Sequence, residues 1–326
     1  ALVAAGLETT SWEGAAENPT AADVGRGAEA AAAHRADCLV AIGGGSAMDC
    51  AKGINFLLTN GGRMEDYWGY GKATRPMLPS LGVPTTAGTG SDAQTYTLIS
   101  HSETHRKMAC GDPGAGFKTV ILDPSLLATV PRRVAAAAGL DAVAHATESH
   151  VSQRATPDSK ALSREAWRHL AASLGPALAE TPDDKALGGM LLAAHLAGAA
   201  IEQSMLGAAH ASANPLTARF GVRHGEAVAL MLPPVVRFNG EVAGDGYREL
   251  AEVAGIAAAD DPAEALAAFL EGLRDNAALP GRLRDVGVDE EALPELARRA
   301  TEEWTARFNP RQVGADEFLE LYETAY

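Results

Sequence analysis

The stretch DCLVAIGGGSAMDCAKGIN, residues 37–55, decides the fold class. Its first six residues form an apolar run of strand length. Three glycines and Ser46 follow, and the Ala- and Met-containing run to Asn55 then reads as a helix. Strand, glycine turn and helix in this order mark an α/β unit. Such a turn presents backbone N–H groups at a helix N-terminus, where a pyrophosphate can bind. The pattern is not G-x-G-x-x-G, and no acidic residue about twenty positions further on completes a dinucleotide fingerprint. By itself the turn therefore fits a tight connection as well as a phosphate site.

Working outward, Leu81-Gly82-Val83 leads into a second turn, Pro84 to Ser91, rich in glycine and hydroxyl groups that can hydrogen-bond phosphate, ribose or amide. A third apolar segment, Thr119 to Leu122, closes on Asp123-Pro124. Residues 1–130 thus read as α/β, with two glycine turns suited to a nucleotide. After Pro131, Ala, Leu, Glu and Arg dominate. Segments 159–179, 184–204 and 294–307 carry helical spacing with Gly and Pro as stops, so 131–326 reads as all-helical.

Composition narrows the function classes. A formal charge of −15 opposes binding to nucleic acid. No run approaches the ~20 apolar residues of a membrane span. Cys38, Cys50 and Cys110 lack CxxC spacing, which speaks against a thiolate metal site or a disulfide framework and fits a reducing compartment, the cytoplasm.

In the helical half, GLDAVAHATE (139–148) places Asp141 and His145 at i, i+4 on one helix face, where carboxylate and imidazole can converge on an ion. Glu148 shares roughly that face, so spacing alone does not exclude His145 with Glu148 as the ligand pair. His210 and His224 stand among Ala, Gly and Ser, which permit close approach of an ion. Asp and His donors suit Fe(II), Zn(II), Mn(II) or Co(II). His34, His169 and His195 read as ordinary interior or surface residues, and the i, i+4 pair His101 and His105 in HSETHRK reads as part of a solvated loop.

The ordered segments AIGGGSAMDCAKGI (41–54), VPTTAGTGSD (83–92), VILDPSLLATVP (120–131), AAGLDAVAHATESHVS (137–152), GAAHASANPL (207–216) and RHGEAVALMLP (223–233) resemble the iron-containing (group III) alcohol dehydrogenases. A weaker likeness extends over FNPRQVGADEFLELY (308–322). The resemblance implies a dehydroquinate synthase-like architecture, in which an α/β cofactor domain and a helical metal domain enclose a cleft. It implies Asp141, His145, His210 and His224 as metal ligands, against Glu148, with Fe(II) the expected ion and Zn(II) the other candidate. Gly43, Gly44, Gly45 and Ser46 would seat the pyrophosphate of NAD or NADP, with Asp49, Thr85, Thr86, Thr89 and Lys107 as further cofactor contacts. The implied reaction is hydride transfer between the nicotinamide and a small alcohol or aldehyde, in a homo-oligomer.

Two departures stand out. Many members of this family have a second histidine four residues after the first in the GAAHASAN segment, where this chain has Asn214, which cannot titrate near neutrality and is read as a positioning group. Members also begin with a further segment, so a βαβ-scale unit, on the order of 30 residues, is expected to be missing here. The two-domain plan, shared with dehydroquinate synthase and glycerol dehydrogenases, opens one alternative, a polyol, phosphate or phosphonate substrate, for which chiefly Arg219 and Arg223 lie near the ligands in sequence; the missing segment opens another, a truncated metal-binding relative with impaired cofactor binding.

Overall fold

The computed structural model describes residues 2–103, 106–257 and 260–326. His105 lies outside them. The chain packs as two units, one of Ala1–Thr85 with Ser91–Ile121 and one of Thr86–Gly90 with Leu122–Tyr326. The division falls at Ile121, short of residue 130, and the five-residue segment of the second glycine turn packs with the helices.

In the first unit, helix α1 (Ala21–His34) opens on a capping box in which Thr20 and Asp23 satisfy each other's backbone N–H. It packs on α2 (Gly45–Asn60), where Val24 lies so close to Gly53 that a Cβ there would stand 2.9 Å from its methyl. Strands β1 (Leu39–Gly43), β3 (Ser80–Pro84) and β6 (Thr119–Val120) form a parallel sheet in the order β1-β3-β6, with Leu39 opposite Ser80 and Gly43 opposite Pro84. All three expected strands are present, and the third is only two residues long. A second sheet, absent from the sequence reading, pairs β2 (Gly69–Tyr70) with β5 (Lys107–Gly111) and β5 antiparallel to β4 (Tyr96–Ser100). These strands are short and flanked by polar residues, so their alternation is weak. Val24, Phe56, Ile99, Met108 and Cys110 form the core under this sheet.

The second unit is helical: α3 (Arg132–Val151), α4 (Pro157–Ala177), α5 (Asp184–Ser204), α6 (Ala208–Phe220), α7 (His224–Val253), α8 (Pro262–Asn276), α9 (Leu293–Glu302) and α10 (Ala315–Ala325). The helix expected over 294–307 ends at Glu302, and one short turn follows. Proline does not stop α7, which runs through Pro233 and Pro234. Both are buried, and packing on every side offsets the missing backbone hydrogen bonds. Among the described residues no helix is long and apolar enough to cross a membrane.

Helix α3 is the axis of this unit. From Gly139 to His150 every residue is buried, and small side chains let neighbouring helices come close from all sides. Close approach also fixes the Thr86–Gly90 segment. Gly90 has φ +64°, and a Cβ on Gly198 of α5 would lie 2.5 Å from the Gly90 carbonyl oxygen. Gly198→Ala should therefore destabilise the protein by about 1–3 kcal/mol through overpacking. Gly272→Ala in α8, where an added Cβ meets nothing within 4 Å, should stabilise it by about 0.5–1 kcal/mol through helix propensity. Urea titration of the two variants checks the pair, and equal effects would show that the contact at Gly90 is not tight.

Candidate metal centre

A fully buried helix can carry polar side chains only if they find partners, and α3 carries Asp141, His145 and Glu148 on one face. The partners come from three directions. The carbonyl of Gly88 meets His145 Nδ1 at 3.2 Å. A Cβ on Gly88 would stand 2.5 Å from the Ala138 carbonyl oxygen, so only glycine lets the loop lie this close to α3. Helix α6 brings His210, and α7 brings His224 as its first residue.

The N-terminus of α7 is held against α3 by Glu226, a buried carboxylate that Arg133 grips through two hydrogen bonds of 2.6 and 3.0 Å. Gly225 permits the contact, since a Cβ there would lie 2.1 Å from the Ala137 carbonyl oxygen. Helix α6 starts at Gly207, which offers no side chain as a cap. Its first N–H groups bond to distant acceptors, Ala208 to Asn309 Oδ1 at 3.2 Å and Ala209 to Glu148 Oε1 at 2.7 Å. Asn309 in turn forms a buried reciprocal amide pair with Asn239, and the Tyr322 hydroxyl donates to the Ser212 carbonyl at 2.6 Å.

The result is convergence on one oxygen. Nε2 of His145 and of His210 each lie 3.4 Å from Asp141 Oδ1, and Nε2 of His224 lies 3.7 Å from it. The rings of His145 and His210 stack at 4.8 Å with planes 18° apart. One donor atom each from Asp141, His210 and His224 fall within 4.8 Å of one another. Asp141 Oδ1 and His210 Nε2 are buried without a hydrogen-bond partner among the described residues. Buried polar atoms are rarely left so. A divalent ion would satisfy both, so the residues present fit one.

Electrostatics agree. Burial works to raise the Asp141 carboxyl, but the surrounding imidazoles of His145, His210 and His224 hold it below the usual carboxylate range. His145 is pushed down by burial, with Asp141 opposing, and so favours the neutral form a ligand needs. His210 would be lowered by burial too, but the Glu148 and Asp141 carboxylates raise it to about 9. His150 points to another face, between Ser163 Oγ at 2.9 Å and Glu249 Oε2 at 3.2 Å.

Glu148, which spacing alone left as a possible ligand, lies on the far side of the His210 ring, with Oε2 2.5 Å from Nδ1. Sequence reasoning missed its actual partners, along with the supports Glu226, Asn309 and Tyr322. Asn309 and Tyr322 fall in the weakly matching 308–322 segment, which was the available signal. Asn214, one turn beyond His210, donates its amide to Glu303 at 2.8 Å. Arg219 is engaged by Glu295.

The glycine turn lies in the first unit. Gly43 has φ +151°, and a Cβ there would stand 2.6 Å from the Ala47 Cβ. Gly44 is the residue before α2, and Gly45 and Ser46 open its first turn, whose N–H groups have no acceptor within the helix. Ser46 Oγ accepts from the Asn18 N–H at 3.2 Å, and the Thr85 N–H bonds to the Gly43 carbonyl at 2.9 Å. Asp49 faces inward, and burial raises its carboxyl to about 6 against the opposing pull of Lys52, the Leu98 N–H, Lys107 and Ser91. Thr86 lines a cavity of about 200 Å³ in the helical unit, with Leu127, Leu174 and Met190 on its wall. Thr89 lies in the loop of the same unit, and Lys107 stands exposed at the start of β5.

Comparison with known proteins places this geometry. Residues 1–124 match the family described as iron-containing alcohol dehydrogenase, and residues 135–326 match the C-terminal domain of the same family. The lactaldehyde reductase of Escherichia coli (strain K12) is 33% identical over 99% of this chain and 86% of its own length. A crystal structure of 1,3-propanediol oxidoreductase superposes with a TM-score of 0.96 at 32% identity, covering 100% of this chain and 86% of that one. Sulfoacetaldehyde reductase from Bifidobacterium kashiwanohense, solved in complex with NAD+, superposes with a TM-score of 0.86 at 27% identity, over 95% and 81% of the two chains. The chain belongs to the iron-containing alcohol dehydrogenase family.

The raised His210 gives a pH dependence with a definite sign. Below about 9 its imidazole holds a proton in protein stripped of metal, and a cation must displace that proton to reach Nε2. Affinity for Zn(II), measured by chelator competition, should therefore tighten by about tenfold per pH unit between roughly pH 6.5 and 8.5. A flat profile would contradict the assignment of that proton.

Proposed function

We propose that this member of the iron-containing alcohol dehydrogenase family reduces small uncharged aldehydes, and oxidises the matching alcohols, with a metal ion held by Asp141, His145, His210 and His224. The observation that carries the proposal is the convergence of three imidazole Nε2 atoms on the partnerless Asp141 oxygen. The bound ion supplies a Lewis acid for the substrate oxygen, and the nicotinamide dinucleotide supplies or accepts the hydride.

The chain's own residues hold and orient. Gly43, Gly44, Gly45 and Ser46 receive the pyrophosphate at the N-terminus of α2, where an added Cβ on Gly43 would crowd the Ala47 side chain. Thr85, Thr86 and Thr89 hydrogen-bond further along the cofactor, and Thr86 lines a cavity whose wall carries Arg132 and Glu180 as well as aliphatic side chains. Lys107 remains a candidate contact for the charged part of the cofactor. Asp49, in α2 with its carboxyl buried, is a further candidate cofactor contact. Asn214, braced by Glu303, positions substrate or water. It holds no proton that titrates near neutrality, so proton exchange at the substrate oxygen falls to solvent or to a cofactor hydroxyl.

Charge supports an uncharged substrate. A phosphate or phosphonate would call for several cations beside the ligands, and Arg219 is committed to Glu295. The proposal includes a cytoplasmic setting, which three free cysteines fit, and a homo-oligomer, which light scattering tests.

Steady-state oxidation of NADH and NADPH against a panel of aldehydes should show turnover on small uncharged members. Turnover confined to phosphorylated or phosphonylated compounds would overturn the preference. His210→Ala should lower metal affinity by more than about 100-fold and reduce turnover to background. Asn214→His should shift the pH profile of turnover while leaving metal content unchanged; metal loss in that variant would place Asn214 among the ligands instead.

A further inference from the structure

We infer that Glu148 is a positioning residue of the metal centre, accepting the Nδ1 proton of His210 so that Nε2 of that ring faces Asp141. The inference rests on the reading of Asp141, His145, His210 and His224 as metal ligands.

Three observations carry it. Glu148 is buried at 4% exposure, and each of its oxygens meets a donor in the first turn of α6: Oε1 takes the Ala209 N–H at 2.7 Å and Oε2 meets His210 Nδ1 at 2.5 Å. A carboxylate there also faces the positive end of the α6 dipole. Next, Gly207 makes room for this contact, because a Cβ on it would come within 3.0 Å of Glu148 Oε1. Finally, His145 repeats the arrangement with a different acceptor, its Nδ1 meeting the Gly88 carbonyl, and its Nε2 lies at the same 3.4 Å from Asp141 Oδ1 as that of His210.

The position of the retained proton follows from these contacts. An acceptor at Nδ1 keeps a proton there, so the proton given up when a cation binds is the one on Nε2, whose lone pair then meets the ion. A carboxylate acceptor also makes the imidazole a stronger donor to the metal than a carbonyl acceptor does. Helix α3 thus contributes, at i, i+4 and i+7 on one face, two groups that bind the ion and one that aims a ligand from another helix. Both oxygens of Glu148 are occupied on the Nδ1 side of the ring, away from Asp141, which is why it acts through His210 rather than on the ion.

Glu148→Gln tests this. Glutamine keeps the volume, but its one carbonyl oxygen cannot serve both the Ala209 N–H and His210 Nδ1, and its amide opposes one of them. The protein, stripped and reloaded with Co(II), should bind the ion 10- to 100-fold more weakly in the variant, and its visible absorption bands should shift, a readout that a purely structural role would leave alone. Glu148→Asp should restore part of the affinity if the carboxylate is what matters, and it serves as the test variant should Glu148→Gln fail to fold. Unchanged affinity and an unchanged spectrum in the folded variant overturn the inference. Asp141→Asn separates the two levels of the argument. If it loses Co(II) while Glu148→Gln does not, Glu148 has no positioning role but the site stands; if it binds Co(II) as the parent does, the site itself is wrong.

Discussion

A carboxylate removed from water is costly, by several kcal/mol, unless it is paired and hydrogen-bonded. Asp141 is buried to 4% exposure, and its Oδ1 has three imidazole nitrogens around it but no hydrogen-bond donor. Around that one oxygen the helical unit is arranged. The helix that carries it is enclosed, and His145 of the same helix, with His210 and His224 from two others, makes its charge tolerable. A divalent ion removes the remaining cost, because it accepts the oxygen and the imidazole lone pairs together. Stability and chemistry are therefore linked at this point, since Asp141 Oδ1 and His210 Nε2, which would bind the ion, are buried without a hydrogen-bond partner among the described residues.

Close approach is the second constraint, and glycine supplies it. Gly88 brings a carbonyl to His145, Gly225 sets the start of α7 on α3, and Gly207 leaves room for Glu148 beside α6. In each case a single Cβ would intrude on backbone or on a buried polar side chain. Long-range hydrogen bonds then fix orientation. Asn309 and Glu148 cap α6 from 101 and 61 residues away, and Arg133 locks the first turn of α7 from 93 residues away. The imidazoles thus point inward because of the backbone around them rather than through contacts of their own helices alone.

How far the sequence revealed this depends on whether the information was local. Strand, glycine turn and helix at 37–55 were legible because apolar runs and glycines punctuate the chain over a few residues. The i, i+4 relation of Asp141 and His145 was legible because helix geometry makes it so. Glu148 shows the limit: its spacing placed it on the right face, but whether it touches the ion or the back of His210 depends on where α6 lies, which no spacing encodes. Only the likeness to a known family argued against it as a ligand. The β4 and β5 pairing was missed for a similar reason, since YTLIS and KMACG acquire strand character from each other. Asn309 and Tyr322 act across sequence separations of 101 and 110 residues, and only the faint match over 308–322 hinted at them.

The central claim is that four side chains, one carboxylate and three imidazoles, hold the ion. X-ray absorption at the metal edge, on protein purified anaerobically and also on zinc-loaded protein, tests this most directly. The account predicts a first shell of nitrogen and oxygen only, at roughly 2.0–2.2 Å for zinc, with the outer-shell scattering of three imidazole rings. A sulfur scatterer in the first shell, or imidazole scattering that fits one ring or none, would contradict it.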